Sequence, residues 1–473
     1  MRPSTPRETT LGGLRTSGHV QRSVKAEIRH NLLTRLRSGE PRFPGIVGFD
    51  DTVLPHLERA LLAGHDLVLL GERGQGKTRL IRTLGGLLDE WTPVVTGCEI
   101  NDHPYAPVCV RCRRLAADTG DELPVSWKHR DERYGEKLAT PDTSVGDLIG
   151  DVDPIKVAEG RTLGDPETVH YGLVPRTNRG IFSINELPDL AERIQVSLLN
   201  VLEERDVQIR GYALRLPLDV LLVASANPED YTNRGRIITP LKDRFGAEIR
   251  THYPLALDTE LALIRQEADF ADLGGVPAEV PEHLVEVIAR FTRLVRESNA
   301  VDARSGVSAR FALAAAETVA AGAVRRAALA GEDHAVARVC DLPAVVPTLM
   351  GKVEFEVSEE GREQEVLEHL LRRATAETYR RTLGTADLSG LLDKFDSGEL
   401  VESGELVGAA ELLRRIGQVR GLAKIMERLE MTGDSPGQAA AALEFALEGL
   451  FLSRRLSKDV SEGRADGTAT YRT

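Results

Sequence analysis

Few residues in this chain can stack on a base, and few can cross-link. Phe, Tyr and Trp make up 4% of 473 residues, which argues against broad aromatic platforms for nucleic acid. Four cysteines do not make a disulfide framework. Cations are outnumbered, 60 Lys and Arg against 73 Asp and Glu, for a net charge of −13. That balance speaks against a general binder of nucleic acid or of an anionic membrane surface. No apolar run approaches a bilayer's thickness, and the alanine-rich stretch 311–330 is broken by Glu317, Arg325 and Arg326. The N-terminus lacks the apolar core of a secretory signal. The expectation is a cytoplasmic protein with neither membrane nor nucleic acid as partner.

What the chain does contain is a phosphate-binding pattern. An apolar run, Leu67 to Leu70, stops at Gly71-Glu72-Arg73-Gly74-Gln75-Gly76-Lys77-Thr78, with helix-compatible residues after it. The glycines let successive backbone N–H groups turn toward phosphate oxygens, and the helix N-terminus adds partial positive charge. Lys77 is a compact cation for the outer phosphates, and the Thr78 hydroxyl is a hard ligand for Mg²⁺. ATP or GTP with Mg²⁺ is the expected ligand.

The length suggests roughly three domains. Residues 1–40 carry eight Lys and Arg against Glu8, Glu27 and Glu40; they read as a basic, partly disordered arm with a short helix from Val24 to Leu36. Residues 41–256 alternate apolar strands (about 67–70, 180–184 and 220–224) with amphipathic helices. This pattern predicts an α/β fold, a parallel sheet flanked by helices with its ligand at the strand C-terminal ends. An irregular, cysteine-containing insert at about 98–143 interrupts it. Residues 257–340 read as an all-α lid and 341–473 as an all-α extension with a polar tail.

The strand 180–184 ends in Asn185-Glu186, and the strand 220–224 leads to Ser225-Ala226-Asn227-Pro228. In P-loop ATPases a strand ending in two acids supplies a magnesium-side carboxylate and a water-activating glutamate. Further on stand Leu241-Lys-Asp-Arg244-Phe-Gly246 and Ser308-Ala-Arg310. Together with the lead-in FPGIVGFDD, these motifs resemble the AAA+ ATPases, and within them the magnesium-chelatase I-subunit and MoxR group. The likeness spans about residues 43–324. LLNVLEERDVQIRG resembles that group's helix and hairpin, and Leu148–Asp153 with Gly160 its helix-2 insert.

The resemblance implies roles. Ile46 and Val47 would flank adenine, and residues 71–78 would hold the phosphates. Glu186 would polarise the hydrolytic water and Asn227 would orient it. Arg310 would reach the γ-phosphate from the lid, and Arg244 would enter a neighbouring subunit's site. That last role requires a self-assembled ring, which the resemblance implies is a hexamer, working as a remodelling or chaperone-type motor on a protein partner carrying a von Willebrand factor A domain. Asn185 departs from the pattern because it brings no negative charge; Glu72 and Asp189 are the acids available to compensate. The alternative is a nucleotide-gated scaffold with little hydrolysis. An activator of alternative sigma factors is a third class, but its GAFTGA loop is missing from this sequence.

In the insert, Cys98, His103, Cys109 and Cys112 have spacing compatible with a Cys₃His zinc site. Buried structural cysteines and an ordinary loop histidine are the competing reading. Cys340 is isolated.

Overall fold

A computed structural model describes residues 5–152, 158, 168–204, 206–208, 215–228, 236–270, 272–302, 306–396, 400–433, 435–460 and 469–472. It divides into two compact units, Met1–His252 and Tyr253–Thr473.

The first unit is built on five parallel strands: β1 (Leu67–Leu70), β2 (Tyr134–Leu138), β3 (Gly180–Asn185), β4 (Val220–Ala226) and β5 (Ala247–Arg250). In space they run β5-β1-β4-β3-β2. The three central strands are buried at every position, which explains their continuous apolar runs: helices cover both faces. Alternate residues face opposite layers. Leu67, Leu69, Ile181, Leu221 and Val223 join one core with the helices Val24–Ser38 and Val53–Ala63. Val68, Leu70, Phe182, Ile184, Leu222 and Ala224 join the other, with the helix Glu192–Glu203.

Two expectations need correction. The insert is not irregular. It holds a helix, Val110–Thr119, and a strand, Val125–His129, which pairs antiparallel with Trp91–Val95. It also holds β2, an edge strand of the main sheet. Only one neighbour covers β2, so its YGEKL sequence keeps polar residues and offers no apolar run to detect.

Nor is the N-terminal segment a solvated arm. The N–H of Leu11 donates to the Leu123 carbonyl and that of Val125 to Thr9. The Val24–Ser38 helix buries Val24, Ile28 and Leu32. Its Glu27 accepts two 2.7 Å bonds from Arg133, which is 1% exposed. The charges that made this segment look solvated are partly used in burial.

A two-stranded ribbon, Gly150–Val152 with Val169–Tyr171, occupies the position of the expected helix-2 insert; Asp153 and Gly160 lie outside the described residues. A hairpin of Asp206–Gln208 and Arg215–Pro217 follows the Glu192–Glu203 helix, and residues 205 and 209–214 are likewise outside them.

The second unit is mainly helical. Glu282–Arg296, Ala309–Ala330, Glu363–Thr382 and Pro436–Leu452 bury Phe291, Phe311, Leu371 and Leu443 in one continuous core. The expected lid and extension therefore pack as one body. Two small three-stranded sheets punctuate the helices. In one, Ala469–Arg472 lies between Val401–Ser403 and Ser457–Val460. Residues 469–472 of the polar tail are thus paired in a sheet, with the Tyr471 hydroxyl donating to Glu448 at 2.6 Å. Among the described residues, no helix is long and apolar enough to cross a membrane.

Candidate nucleotide site

The loop 71–76 leaves the C-terminal end of β1 and opens the helix Lys77–Thr83. Gly74 and Gly76 have φ of 72° and 76°, the left-handed region where a side chain is costly. A Cβ on Gly71 would stand 1.9 Å from Thr251 Oγ1, so only glycine fits there. Gln75 braces the loop: its Oε1 accepts from the Glu72 N–H at 3.0 Å and from Thr251 Oγ1 at 2.8 Å. Glu72 and Arg73 stand at the loop's rim, and Thr78 is half-buried in the first helical turn. A cavity of about 370 Å³ lies beside the loop, lined by Leu70, Gly71, Gln75, Pro228, Lys242 and Thr251.

Lys77 is 7% exposed. Its Nζ donates to the carbonyls of Gly71 and Glu72 and, at 2.7 Å, to Asn227 Oδ1. The other end of the same amide, Asn227 Nδ2, donates to Glu186 Oε2 at 2.6 Å. Lys77 at the helix start and Glu186 and Asn227 just past two strand ends thus form one polar chain beside the phosphate loop. Glu186 sits at φ 55°, an uncommon conformation for a residue with a side chain and one concentrated at functional sites. Its N–H donates to Ser225 Oγ at 3.2 Å.

Asn185, at the tip of β3, is 7% exposed. Its Oδ1 accepts from Ser225 Oγ at 3.3 Å, and its Nδ2 donates to Glu136 Oε1 at 2.7 Å. Glu136 is in turn gripped by Arg82 of the P-loop helix through two 2.9 Å bonds. That hydrogen-bonded guanidinium holds the Glu136 carboxyl below its ordinary range. The acid facing Asn185 is therefore Glu136, not the expected Glu72 or Asp189. It was missed because it lies on the strand that the sequence conceals.

Ile46 and Val47 are half-buried, with Ile46 packed against the core that holds Leu80 and Ile81 of the P-loop helix. Arg244 ends the helix Thr239–Arg244 and pairs within its own chain with Glu203 at 2.7 Å. Arg310 is exposed, in the first turn of Ala309–Ala330 in the second unit, with Ser308 as N-cap.

The Sigma-54 interaction domain profile matches residues 161–244, the segment containing Glu186, Asn227 and Arg244. The magnesium-chelatase subunit ChlI of a Nostoc species is 31% identical over 240 residues, 48% of this chain and 59% of that protein. In sequence the chain is similar to the AAA+ subunits of magnesium chelatase. The magnesium-chelatase 38 kDa subunit of Acidiphilium rubrum is 32% identical over 209 residues, 43% of this chain and 56% of that AAA+ relative. The matches thus span less than two thirds of these relatives' own lengths. A structure of the magnesium-chelatase BchI–BchD complex aligns with 69% of this chain and 98% of its own at 22% identity, with a TM-score of 0.35. At that score it adds nothing to the sheet order above.

The cysteine cluster lies elsewhere in the first unit. Ligand atoms of Cys98, Asp102, Cys109 and Cys112 all lie within 4.8 Å of one another. Hydrogen bonds from the Cys109 and Cys112 thiols push the Cys98 thiol down. Burial and then the Cys98 charge push the Asp102 carboxyl up. His103, expected as the fourth member, is absent from the group: its ring stacks on His19 at 5.5 Å, and its Nδ1 accepts from the Tyr105 N–H at 2.9 Å. Asp102 takes the fourth position. Adjacent residues on this loop point to different sides, which a spacing rule does not register.

Proposed function

We propose that this AAA+ chain binds and hydrolyses ATP with Mg²⁺ and uses the cycle to remodel or activate a protein partner. The observation that carries the reading is the chain Lys77–Asn227–Glu186. It joins an ammonium, an amide and a carboxylate beside a glycine loop, groups that would serve as phosphate cation, polar sensor and general base. Residues 71–78 would hold the phosphates, Thr78 would sit on Mg²⁺, and Ile46 with Val47 would border the adenine. Mg²⁺ would neutralise charge on the β- and γ-phosphates. Glu186 would take the proton of the attacking water, while Asn227 would hold that carboxylate in place.

Arg244 and Arg310 would complete the site. Arg244 would leave Glu203 and act on a neighbouring subunit, so activity would require a ring, a hexamer in the working proposal. Arg310 would act on the γ-phosphate. We assign a von Willebrand factor A domain to a separate protein partner, and the cytoplasm is the proposed location.

Steady-state ATP turnover of the full chain and of Glu186→Gln tests the proposal. Loss of roughly 10²-fold or more in the variant, with nucleotide binding retained, supports it. Equal turnover in the two would sink it and leave the gated scaffold.

A further inference from the structure

The cluster of Cys98, Asp102, Cys109 and Cys112 is far from ordinary for buried thiols. Three of its four members are buried, with Cys112 at 0% and Asp102 at 1% exposure. Asp102 Oδ2 is fully used, accepting from the N–H groups of Cys109 at 2.8 Å and Val108 at 3.0 Å. Its Oδ1 is buried without a hydrogen-bond partner among the described residues. An orphaned carboxylate oxygen is costly unless a cation or donor meets it. An oxygen of this carboxylate lies within 4.8 Å of three sulfurs.

The sulfurs are oriented by the backbone. Cys98 Sγ accepts from the Asp102 N–H at 3.3 Å, and Cys109 Sγ accepts from the Cys112 N–H at 3.3 Å. Such donors lower the energy of thiolates over thiols. Cys109 is also the N-cap of the helix Val110–Thr119, with Cys112 in its first turn, where partial positive charge favours anions.

We propose that Cys98, Asp102, Cys109 and Cys112 bind one zinc ion as an S₃O tetrahedron. Zinc–sulfur bonds of about 2.3 Å put tetrahedral ligands roughly 3.8 Å apart, so a shared limit of 4.8 Å suits a single ion. Three thiols lose their protons to solvent on binding, and the metal meets the free Asp102 oxygen. Soft sulfur ligands select zinc over magnesium or calcium.

The site's place in the fold gives the metal a structural task. It closes the loop between the strand Trp91–Val95 and the helix Val110–Thr119. That loop holds Asn101, at φ 55°. Asn101 Nδ2 donates to the carbonyls of Arg176 at 2.7 Å and Asn178 at 3.2 Å. Asn178 in turn donates to the Ile100 carbonyl at 2.9 Å. Residues 176–179 lead directly into β3. Zinc would thus fix the loop that braces the approach to Asn185 and Glu186.

Elemental analysis of the full chain, purified reduced and without chelators, should find about one zinc per chain. A thiol-modifying mercurial should release it in step with three reactive cysteines. Cobalt exchanged into the protein should show the intense visible bands of a tetrahedral thiolate site. Asp102→Asn keeps an oxygen for the backbone bonds, and should weaken zinc binding at least about tenfold; His103→Ala should leave it unchanged. Wild-type protein holding less than about a tenth of an equivalent, both as purified and after zinc loading and desalting, overturns the proposal. So does iron in place of zinc, or zinc lost from His103→Ala but kept at full affinity in Asp102→Asn. The wild-type measurements stand even if a variant fails to fold.

Discussion

Asn185 donates its side-chain amide to Glu136 across 2.7 Å. The strand tip that lacks its own charge is thus bonded to a carboxylate on the neighbouring strand. Arg82, from the P-loop helix, clamps that carboxylate on its other side, so the missing acid and the phosphate loop share one network.

If Glu136 supplies the charge that Asn185 lacks, Glu136→Gln should raise the Mg²⁺ concentration for half-maximal ATP turnover by about tenfold, as for other groups one step from a metal. Adding Asn185→Asp to Glu136→Gln should restore it. Asn185→Asp alone sets two carboxylates against each other, which raises one pKa or pushes them apart, and should recover less than the double variant. A Mg²⁺ titration at fixed ATP reads all three. An unchanged midpoint in Glu136→Gln defeats the idea.

Arg244 is tied to Glu203 within its own chain, so its proposed action on a neighbour needs a test that a surface ion pair fails. Arg244→Ala should lower turnover about 10³-fold or more while keeping nucleotide affinity. Mixing Arg244→Ala with Glu186→Gln, each inactive alone, should recover activity. Some interfaces would then join an intact Glu186 from one protein to an intact Arg244 from the other. No recovery in an assembled mixture removes Arg244 from the site.

The ion pair Glu27–Arg133 has side chains 6% and 1% exposed, whereas Arg15–Asp121 has both more than half exposed. Removing one partner of a buried pair leaves the other charge desolvated, at about 3–5 kcal/mol; a surface pair is worth about 1 kcal/mol or less. Glu27→Ala should therefore destabilise the first unit severely and Asp121→Ala barely. Both tryptophans, Trp91 and Trp127, lie in that unit, so denaturant unfolding followed by their fluorescence reports on it. Equal effects would mean that the arm helix contributes little to the core.

The sequence was readable where chemistry demands a local pattern. Gly71, Gly74 and Gly76 are required by backbone geometry, and the central strands are continuous apolar runs because both faces are covered. It was opaque where a residue's role depends on a distant partner. Glu136 matters through Asn185 and Arg82, and nothing in YGEKL signals that. His103 and Asp102 are neighbours with equally plausible ligand chemistry; only the turn of the loop decides which one meets the thiols. The arm's charges look solvated in a one-dimensional reading because Arg133, which buries Glu27, comes more than a hundred residues later.

His283 offers a test inside the second unit. It is 2% exposed, its ring centroid lies 4.5 Å from that of Phe445, and among the described residues neither ring nitrogen has a hydrogen-bond partner. Burial pushes its pKa from 6.5 down to about 3. The sign follows from linkage: below pH 6.5 the unfolded chain takes up a proton that the folded chain refuses until about pH 3. Stability is therefore full above 6.5 and falls as the pH drops through that window. His283→Leu keeps the apolar contact and removes the proton uptake. Hydrogen-exchange protection factors of the Glu282–Arg296 helix should fall more steeply with acid in the wild type, approaching about tenfold per pH unit relative to the variant. At neutral pH the variant should be at least as protected, because two buried nitrogens without partners are gone. Parallel pH slopes in the two proteins would show that His283 finds a partner or a route to solvent in solution.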